Sequence, residues 1–286
     1  MAVDPRWTRW LLILALAAPA AVAHDMWVVP PGVGPSGVRP AGVPLTVGEL
    51  AEIRLRVGHG GHSEPVTRDP RRLVRLVAVG PGGELPVPGL DGADPAGLFR
   101  PPAAGTWVVA YESTAAYSEL PAARFERYLS EEGLENVTAK RRQRGQSAEP
   151  GRELYSRSLK SLFYVGGASP AAAAAPAAGD RPVGLPLELV LLSDPARLAA
   201  EPAELRLLLH GEALGGALVD VRRLDQGSAN PRRTDSDGRV RFELGPGAWL
   251  VGTVHMEEAA ASAGADWRTL FATLTFVVPE APEVGR

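Results

Sequence analysis

Histidine supplies the side chains best suited to metal chemistry in this sequence. The chain contains five histidines and no cysteine, which excludes disulfide bonds, thiolate zinc sites, iron–sulfur clusters and cysteine nucleophiles. His59 and His62 lie in the glycine-rich run Val57–Glu64, directly after a strand-like segment. Because the intervening glycines let the backbone turn tightly, both imidazoles can bind one ion.

A third histidine, His24, follows a segment with the features of a secretory signal. Residues 1–23 carry two arginines, then an apolar run over 10–18, and end in Ala-Val-Ala. Cleavage after Ala23 makes His24 the first residue, and its α-amine (reference pKa ~7.8) and imidazole (~6.5) both become neutral nitrogen donors near neutral pH. We therefore expect an exported, periplasmic protein whose first residue can bind a metal ion through two nitrogens.

The remaining candidates are scattered along the chain. His255 ends a predicted strand and is a candidate ligand, whereas His210 precedes a predicted turn and is interpreted as a surface residue. Among the acidic residues that could supply oxygen or orient an imidazole, Asp266 is preferred over Asp25, Glu64, Glu257 and Glu258. The sequence thus gives five candidate metal ligands: His24, His59, His62, His255 and Asp266.

The elements that must position these residues are mainly β-strands. The chain contains 27 prolines and 32 glycines, and such frequent interruption favours many short strands over long helices. Alternating apolar and charged residues predict a half-buried strand over Ala51–Val57, directly before the histidine-containing loop. Further strands are predicted over 72–79, 106–111, 187–192, 205–210, 217–224, 239–244, 249–255 and 270–278.

A helical period interrupts the strands between residues 120 and 165. Apolar side chains there recur at helical spacing and predict about three short helices. They are Phe125, Tyr128, Leu129, Leu154, Tyr155, Leu159 and Leu162. The basic run over 140–144 is interpreted as an exposed helix face. With a formal net charge of −3, we expect no nucleic-acid partner.

These patterns predict a mainly β fold with two β-sandwich domains of the immunoglobulin type and a short helical insertion. The Ala/Pro-rich stretch 168–184 has too few large apolar residues to build a core and is interpreted as a linker. No later segment approaches the ~20 apolar residues of a transmembrane helix, so no membrane anchor is expected after cleavage. The predicted parts are a signal peptide (1–23), an N-terminal domain (24–118), the helical insertion (119–167), the linker (168–184), a C-terminal domain (185–279) and a tail (280–286).

Motifs of the common enzyme classes are absent from the sequence. It contains no Gly-x-Ser-x-Gly nucleophile elbow, no phosphate-binding loop ending in Lys-Ser or Lys-Thr, and no His-Glu-x-x-His helix motif. We therefore expect a binding protein and not an enzyme.

Several blocks of the sequence together resemble a bacterial exported family of uncharacterised function. They are His24–Pro30, Arg56–Gly60, Phe125–Glu135, Gly151–Arg157, Leu185–Val190, Thr234–Val240, Val254–Met256 and Asp266-Trp267. That family has been labelled a NikM-like periplasmic component of cobalt or nickel uptake, and the resemblance covers nearly all of residues 24–279. It implies a periplasmic protein that binds cobalt or nickel and associates with a membrane metal transporter. The C-terminal part also resembles a transthyretin-like or carboxypeptidase-regulatory β-sandwich.

Three hypotheses for the function remain open at this point. The first is a carrier of divalent nickel, cobalt, copper or zinc, with the amine and imidazole of His24, His59 and His255 as ligands. The second is a copper carrier or redox protein, because an N-terminal histidine with a second histidine resembles the histidine brace of lytic polysaccharide monooxygenases and periplasmic copper carriers. The third is a structural or partner-binding β-sandwich protein, since a fold alone implies no activity.

Overall fold

The structure, a computed structural model, describes residues 25–34, 37–38, 45–59, 62–166, 179–194, 197–227 and 230–280. Within these ranges it contains the helices α1 (Ala122–Glu131) and α2 (Glu135–Gln143) and twenty-one strands. The strands are β1 (Asp25–Val28), β2 (Val33–Gly34), β3 (Gly37–Val38), β4 (Leu45–Thr46), β5 (Ala51–Ile53), β6 (Leu55–His59), β7 (His62–Val66), β8 (Leu73–Gly80), β9 (Gly83–Pro86), β10 (Gly97–Phe99), β11 (Gly105–Ser113), β12 (Ala116–Leu120), β13 (Gly151–Gly166), β14 (Leu187–Leu191), β15 (Ala203–Leu209), β16 (Glu212–Ala213), β17 (Leu218–Arg223), β18 (Arg232–Arg233), β19 (Arg239–Phe242), β20 (Gly247–Glu258) and β21 (Trp267–Val278). The prediction of a mainly β fold is confirmed.

A ten-stranded sheet forms the centre of the molecule. Its strand order is β18-β17-β20-β21-β13-β11-β8-β9, and β12 and β4 also pair with β13. The β13–β21 and β13–β4 pairs are parallel, whereas the other pairs are antiparallel. Strands that precede residues 168–184 in the chain and strands that follow them both belong to this sheet. The predicted domain limits stay a prediction.

Both faces of the central sheet are covered by apolar layers. Because side chains alternate along a strand, Leu270 and Leu274 of β21 point to one face, where they pack with a four-stranded sheet of β14, β15, β16 and β19. We call this the sandwich face. Phe271 and Thr273 point to the opposite face, which we call the N-terminal face. It is covered by α1, by α2 and by the small sheets β1-β6-β7 and β10-β5.

Strand β1 is fixed to the N-terminal face by two buried hydroxyl groups. Thr273 Oγ1 donates to the carbonyl oxygen of Met26 at 2.8 Å, and Thr275 Oγ1 donates to that of Val28 at 2.6 Å. Met26 and Val28 also pack into the apolar cluster beneath β11 and β13. The position of β1 is therefore set by the central sheet as well as by its pairing with β6.

The helical prediction is right for α1 and α2 and wrong for residues 151–166, which form β13. Leu159 and Leu162 of this strand are both fully buried, on opposite faces of the central sheet. A strand covered on both faces loses the alternation of apolar and polar residues. Its apolar spacing then imitates a helix.

The interpretation of the basic run over 140–144 as an exposed face is confirmed except at Arg141. Arg141 is 1% exposed, and its Nε donates to Glu126 Oε1 at 2.8 Å. Its Nη2 donates to the carbonyl oxygens of Gln146 and Glu149 at 2.8 and 2.7 Å. Arg141 thus ties α1, α2 and the following turn together. In the part of the chain that the structure describes, no helix has the length and apolar character needed to cross a membrane.

Candidate functional site

Two of the predicted ligands lie at paired backbone positions at one end of the three-stranded sheet β1-β6-β7. His59 is the last residue of β6 and His62 the first of β7, and the two are direct partners in the antiparallel ladder. On the other side of β6, Asp25 at the start of β1 is the partner of Gly58. His24, the residue before Asp25, lies outside the described residues. The start of β1 and the two histidine positions therefore lie at the same end of this sheet.

A small cleft of about 30 Å³ opens between this end of the small sheet and the central sheet. Asp25 and Trp27 of β1, His62 and Ser63 of β7, and Arg222 of β17 contribute to its walls. His62 is exposed, so its imidazole is accessible to a ligand. The cleft combines an acid, a histidine and a hydroxyl with the basic side chains of Arg222 and Arg223.

Gly58 allows the close approach of β6 and β7 beside this cleft. A Cβ atom at position 58 would lie 2.0 Å from the carbonyl oxygen of His62 and 2.7 Å from the Cα of Ser63. Any side chain here would force β7 away from β6. The pairing of His59 with His62 therefore depends on this glycine.

His255 lies on the other face of the central sheet. It is the direct partner of Leu270, and directly opposed residues point to the same face, so its side chain points to the sandwich face. Burial lowers the pKa of His255, and its electrostatic neighbours include Glu257 and His210. Asp25 approaches the central sheet from the N-terminal face. The structure therefore does not bring His255 to the cleft that His62 lines.

The preferred acidic candidate, Asp266, is paired with an arginine. Arg152 donates to its two carboxylate oxygens at 2.7 and 2.9 Å, and this contact lowers the pKa of Asp266. Glu258 is bound by Lys140 and Arg144, which lower its pKa to about 2. Among the residues that the structure describes, no three histidine or acidic side chains are grouped so as to hold a metal ion.

A cluster of charged side chains lies beside the cleft, where the end of α1 meets β1 and β17. We call it the charged seam, and it consists of Asp25, Glu132, Arg157, Asp220 and Arg222. Arg222 Nη1 lies 2.9 Å from Asp25 Oδ2, and Arg222 Nε donates to Asp220 Oδ2 at 2.9 Å. One guanidinium group thus bridges two carboxylates from different strands.

Arg157 is the second cation of the charged seam. Its guanidinium carbon lies 4.8 Å from the ring centre of Phe271 and 5.5 Å from that of Tyr155, so both rings contribute cation–π attraction. Burial lowers the pKa of Arg157, whereas Tyr155 and Asp25 raise it. The aromatic rings and Asp25 hold this cation beneath the start of β1.

Glu132 is the most perturbed carboxylate of the charged seam. It caps the C-terminal end of α1, where helix carbonyl groups add partial negative charge. Burial raises its pKa to about 8; Asp25 and Asp220 also raise this pKa, whereas Arg222 lowers it. The backbone N–H of Glu132 donates to the carbonyl oxygen of Tyr128 at 3.0 Å, whereas its carboxylate has no hydrogen-bond or ion-pair partner among the described residues. A strongly perturbed acid beside a cleft is a common sign of a functional site.

Sequence reasoning identified Asp25 in this region but missed Glu132, Arg157, Asp220 and Arg222. Glu132 and Arg157 fall within blocks that carried the family resemblance, which is the one local signal that could have pointed to them. These residues come close to β1 because β13, β17 and β21 pair with strands that are distant in the sequence.

The comparisons with known proteins identify a family but no activity. Residues 21–257 match the sequence pattern of a family described as a domain of unknown function, DUF4198. No protein of the curated set matches this chain. Fibronectin(III)-like modules of CbhA from Clostridium thermocellum are similar at 9% identity and a TM-score of 0.20, over 92% of this chain and 98% of that chain. A TM-score that low supports no argument about fold or function.

Proposed function

Since the chain belongs to the DUF4198 family, whose function is unknown, we propose a function from its own residues: it is an exported protein that binds a divalent transition-metal ion at its processed N-terminus. The amine and imidazole of His24 bind the ion together with His59 and His62. The protein carries the ion without catalysing a reaction. The NikM-like resemblance favours nickel or cobalt as the ion and a membrane metal transporter as the partner.

The pairing register of β1, β6 and β7 is the observation that carries this proposal. Asp25 is opposite Gly58, and His59 is opposite His62. One peptide bond joins His24 to Asp25, which keeps their Cα atoms ~3.8 Å apart. We propose that the ion is bound where this register ends, by His24 before β1 and by His59 and His62. These three histidines belong to, or directly precede, three adjacent strands of the small sheet.

Imidazole and amine nitrogens suit nickel, cobalt, copper and zinc. Both groups bind metal in their deprotonated forms, so we expect the affinity to fall as the pH drops below about 7. Affinity for nitrogen donors rises along the first-row series to copper. Tight copper binding in vitro would therefore not identify the ion that is carried in the cell.

The proposal is tested by calorimetric titration of nickel, cobalt, copper and zinc into protein that begins at His24. The same protein with one additional N-terminal alanine is the comparison, because the extension moves the amine and keeps every side chain. We expect the extended form to bind at least about tenfold more weakly, since a chelating nitrogen is lost. Equal affinities, or no binding of any of the four ions by the processed protein, would overturn the proposal and favour a partner-binding scaffold.

Single substitutions separate the proposed ligands from other histidines. We expect His62→Asn to weaken binding, whereas His210→Asn leaves it unchanged. His210 is a suitable control because it is exposed and has a φ of 51°, a conformation that asparagine tolerates. His255 and Asp266 are not part of this proposed ligand set, because His255 points to the sandwich face and Asp266 is bound by Arg152.

A further inference from the structure

An amine and two carboxyl groups meet in the interior, where the central sheet contacts β14. The side chain of Lys160 in β13 is 1% exposed, that of Asp180 0% and that of Glu188 in β14 2%. Lys160 Nζ lies 2.9 Å from Asp180 Oδ1, 3.0 Å from Asp180 Oδ2 and 2.9 Å from Glu188 Oε1. An amine in contact with one carboxyl group, and with a second carboxyl group that can move its protons, has the partners needed to form an amide bond.

Lys160 approaches Asp180 through both carboxyl oxygens. Nearly equal distances from one nitrogen to these two oxygens place it close to the carbon between them, at about the 3–3.5 Å from which reacting atoms form a bond. The backbone N–H of Arg181 donates to Oδ1 at 2.7 Å, and that of Leu191 donates to Oδ2 at 2.9 Å. These two N–H groups orient the carboxyl group and stabilise negative charge on its oxygens during attack by the nitrogen.

The elements that carry the amine and the second carboxyl group are fixed by strand pairing and by backbone hydrogen bonds. Lys160 lies within β13, opposite Ala110 of β11 and Leu274 of β21. The carboxylate of Glu188 accepts hydrogen bonds from the backbone N–H groups of residues 183–185, at 2.7, 3.0 and 3.1 Å. The folded chain therefore holds both groups at Asp180 without further rearrangement.

Other polar groups near the three side chains have different roles. Arg75 Nη2 donates to the carbonyl oxygen of Val183 at 2.6 Å. Nε and Nη2 of Arg181 are buried and make no hydrogen bond to a described residue, and the same is true of the hydroxyl of Tyr164. Burial raises the pKa of Tyr164 well above its usual value, so this hydroxyl stays neutral. The polar contacts of the Asp180 carboxyl group described above come from the Lys160 amine and from backbone N–H groups.

The surroundings favour uncharged reactants. Ala110, opposite Lys160, and Leu185, beside Glu188, belong to one buried apolar cluster. Burial raises the pKa of Asp180, although Lys160 lowers it. Transfer of a proton from the Lys160 ammonium to the Asp180 carboxylate gives an amine and a carboxylic acid. Neither carries the charge that a dry interior disfavours.

We propose that Lys160 and Asp180 form a covalent amide bond after folding, with Glu188 as the catalytic residue that transfers the protons. This inference does not depend on the proposed metal site. The bond joins β13 to a residue twenty positions further along the chain, and the ion-paired side chains of the structure are its reactants.

The reaction is a condensation that releases one water molecule. Glu188 takes a proton from Lys160 Nζ and passes it to a carboxyl oxygen of Asp180. The lone pair of Nζ then bonds to the Cγ atom of Asp180. Glu188 carries a second proton from the nitrogen to the departing oxygen, and the C–O bond breaks with its electron pair on that oxygen. Of the three ammonium protons, one stays on the amide nitrogen and two leave in water, so no oxidant or reductant is required.

The test is mass spectrometry of the purified, unfolded protein and of its chymotryptic peptides. The bond lowers the mass by one water, about 18 Da. Chymotrypsin cuts after Phe163 and Tyr164, which lie between the two residues. We expect the peptide with Lys160 and the peptide with Asp180 to stay joined after this cut. A wild type of full mass, or a loss of water in peptides that separate, overturns the inference.

An exposed ion pair of the same protein is the internal control. Lys140 Nζ lies 2.7 Å from Glu258 Oε1, but these side chains are 46% and 41% exposed. Water stabilises both charges there, so the amine keeps its proton and cannot attack. We expect the peptides that contain Lys140 and Glu258 to separate. If these peptides are joined as often as those of Lys160 and Asp180, the buried geometry is not the cause.

Variants test the role of Glu188. Glu188→Gln keeps the size of the side chain but cannot take up the proton, so we expect it to show the full mass. Lys160→Met is also expected to show the full mass, whereas Lys140→Met keeps the loss of water. Joined peptides in Glu188→Gln at the wild-type yield overturn the role of Glu188.

Near-ultraviolet circular dichroism separates a loss of proton transfer from a loss of folding in Glu188→Gln. If this variant does not fold, the peptide map of the wild type still decides whether the bond exists. Loss of stability in Lys160→Met does not distinguish the bond from the ion pairs, because the substitution removes both. The covalent mass does.

Discussion

At the scale of single residues, Glu132 makes the stability of the metal-free protein depend on pH. Its pKa is about 8 in the folded protein and 4.5 as the ordinary value, so the folded state binds more protons between these pH values. The free energy of unfolding therefore falls as the pH rises through this window. We expect Glu132→Gln to remove most of this fall, which is on the order of a few kcal/mol. Urea unfolding at pH 5, 6.5 and 8 measures the difference.

Glu131→Gln is the control for this measurement, because Glu131 is exposed and paired with Arg127. We expect it to keep the pH dependence of the wild type. A Glu132→Gln variant whose stability falls between pH 5 and pH 8 as steeply as that of the wild type would show that Glu132 is ionised at little cost in the folded protein.

The candidate site was only partly predictable at this scale. His59 and His62 were recognised because their glycine-rich spacing is a local pattern, whereas Asp25 was one of several acidic candidates, to which Asp266 was preferred. Glu132 and Arg222 carry no such signal, since their significance comes from burial and from neighbours about ninety or more residues away. His255 was a reasonable candidate from its place at a strand end, but the face to which a side chain points depends on strand register.

At the scale of elements, the attachment of β1 to the central sheet should control how well the start of β1 is held. Thr273→Val removes the hydroxyl that donates to the carbonyl oxygen of Met26 and leaves that buried oxygen without this donor. We expect a loss of about 1–2 kcal/mol of stability, faster amide hydrogen exchange in β1, and weaker nickel binding by the processed protein.

Thr253→Val is the matched control for the attachment of β1. Thr253 is equally buried in the central sheet, and its Oγ1 donates to the carbonyl oxygen of Leu218 at 2.7 Å. We expect a similar loss of stability without a change in β1 exchange or nickel affinity. If both variants change nickel binding equally, the effect is one of general stability and not of the attachment of β1.

The strands were more predictable than the helical region for a physical reason. Segments such as Arg239–Phe242 have one exposed and one buried face, and their alternation is visible in the sequence. Residues 151–166 form a central strand with both faces covered, so their apolar spacing lacked that signature. This segment is a strand because it pairs with β11 and β21. Such long-range pairing outweighs the helical spacing of its apolar residues.

At the scale of the whole molecule, a buried ionic network joins the central sheet to the layer on its sandwich face. Lys160 Nζ lies 2.9 Å from Asp180 Oδ1 and 2.9 Å from Glu188 Oε1, and the three side chains are at most 2% exposed. Glu188 also accepts hydrogen bonds from the backbone N–H groups of Val183, Gly184 and Leu185. The described end of the predicted linker is thus bound to β13 by this network.

Removing the cation of this network should destabilise the whole fold. Lys160→Met leaves Asp180 and Glu188 buried without their cation, and we expect a loss of about 3–5 kcal/mol in urea unfolding at pH 7. Lys140→Met is the control, because the Lys140–Glu258 pair is exposed and worth at most about 1 kcal/mol.

Burial already raises the pKa of Asp180 in the presence of Lys160, so without Lys160 this acid should take up a proton more readily. The loss caused by Lys160→Met should therefore shrink as the pH falls toward 5. A loss no larger than that of Lys140→Met would mean that the two layers are held together by apolar packing alone.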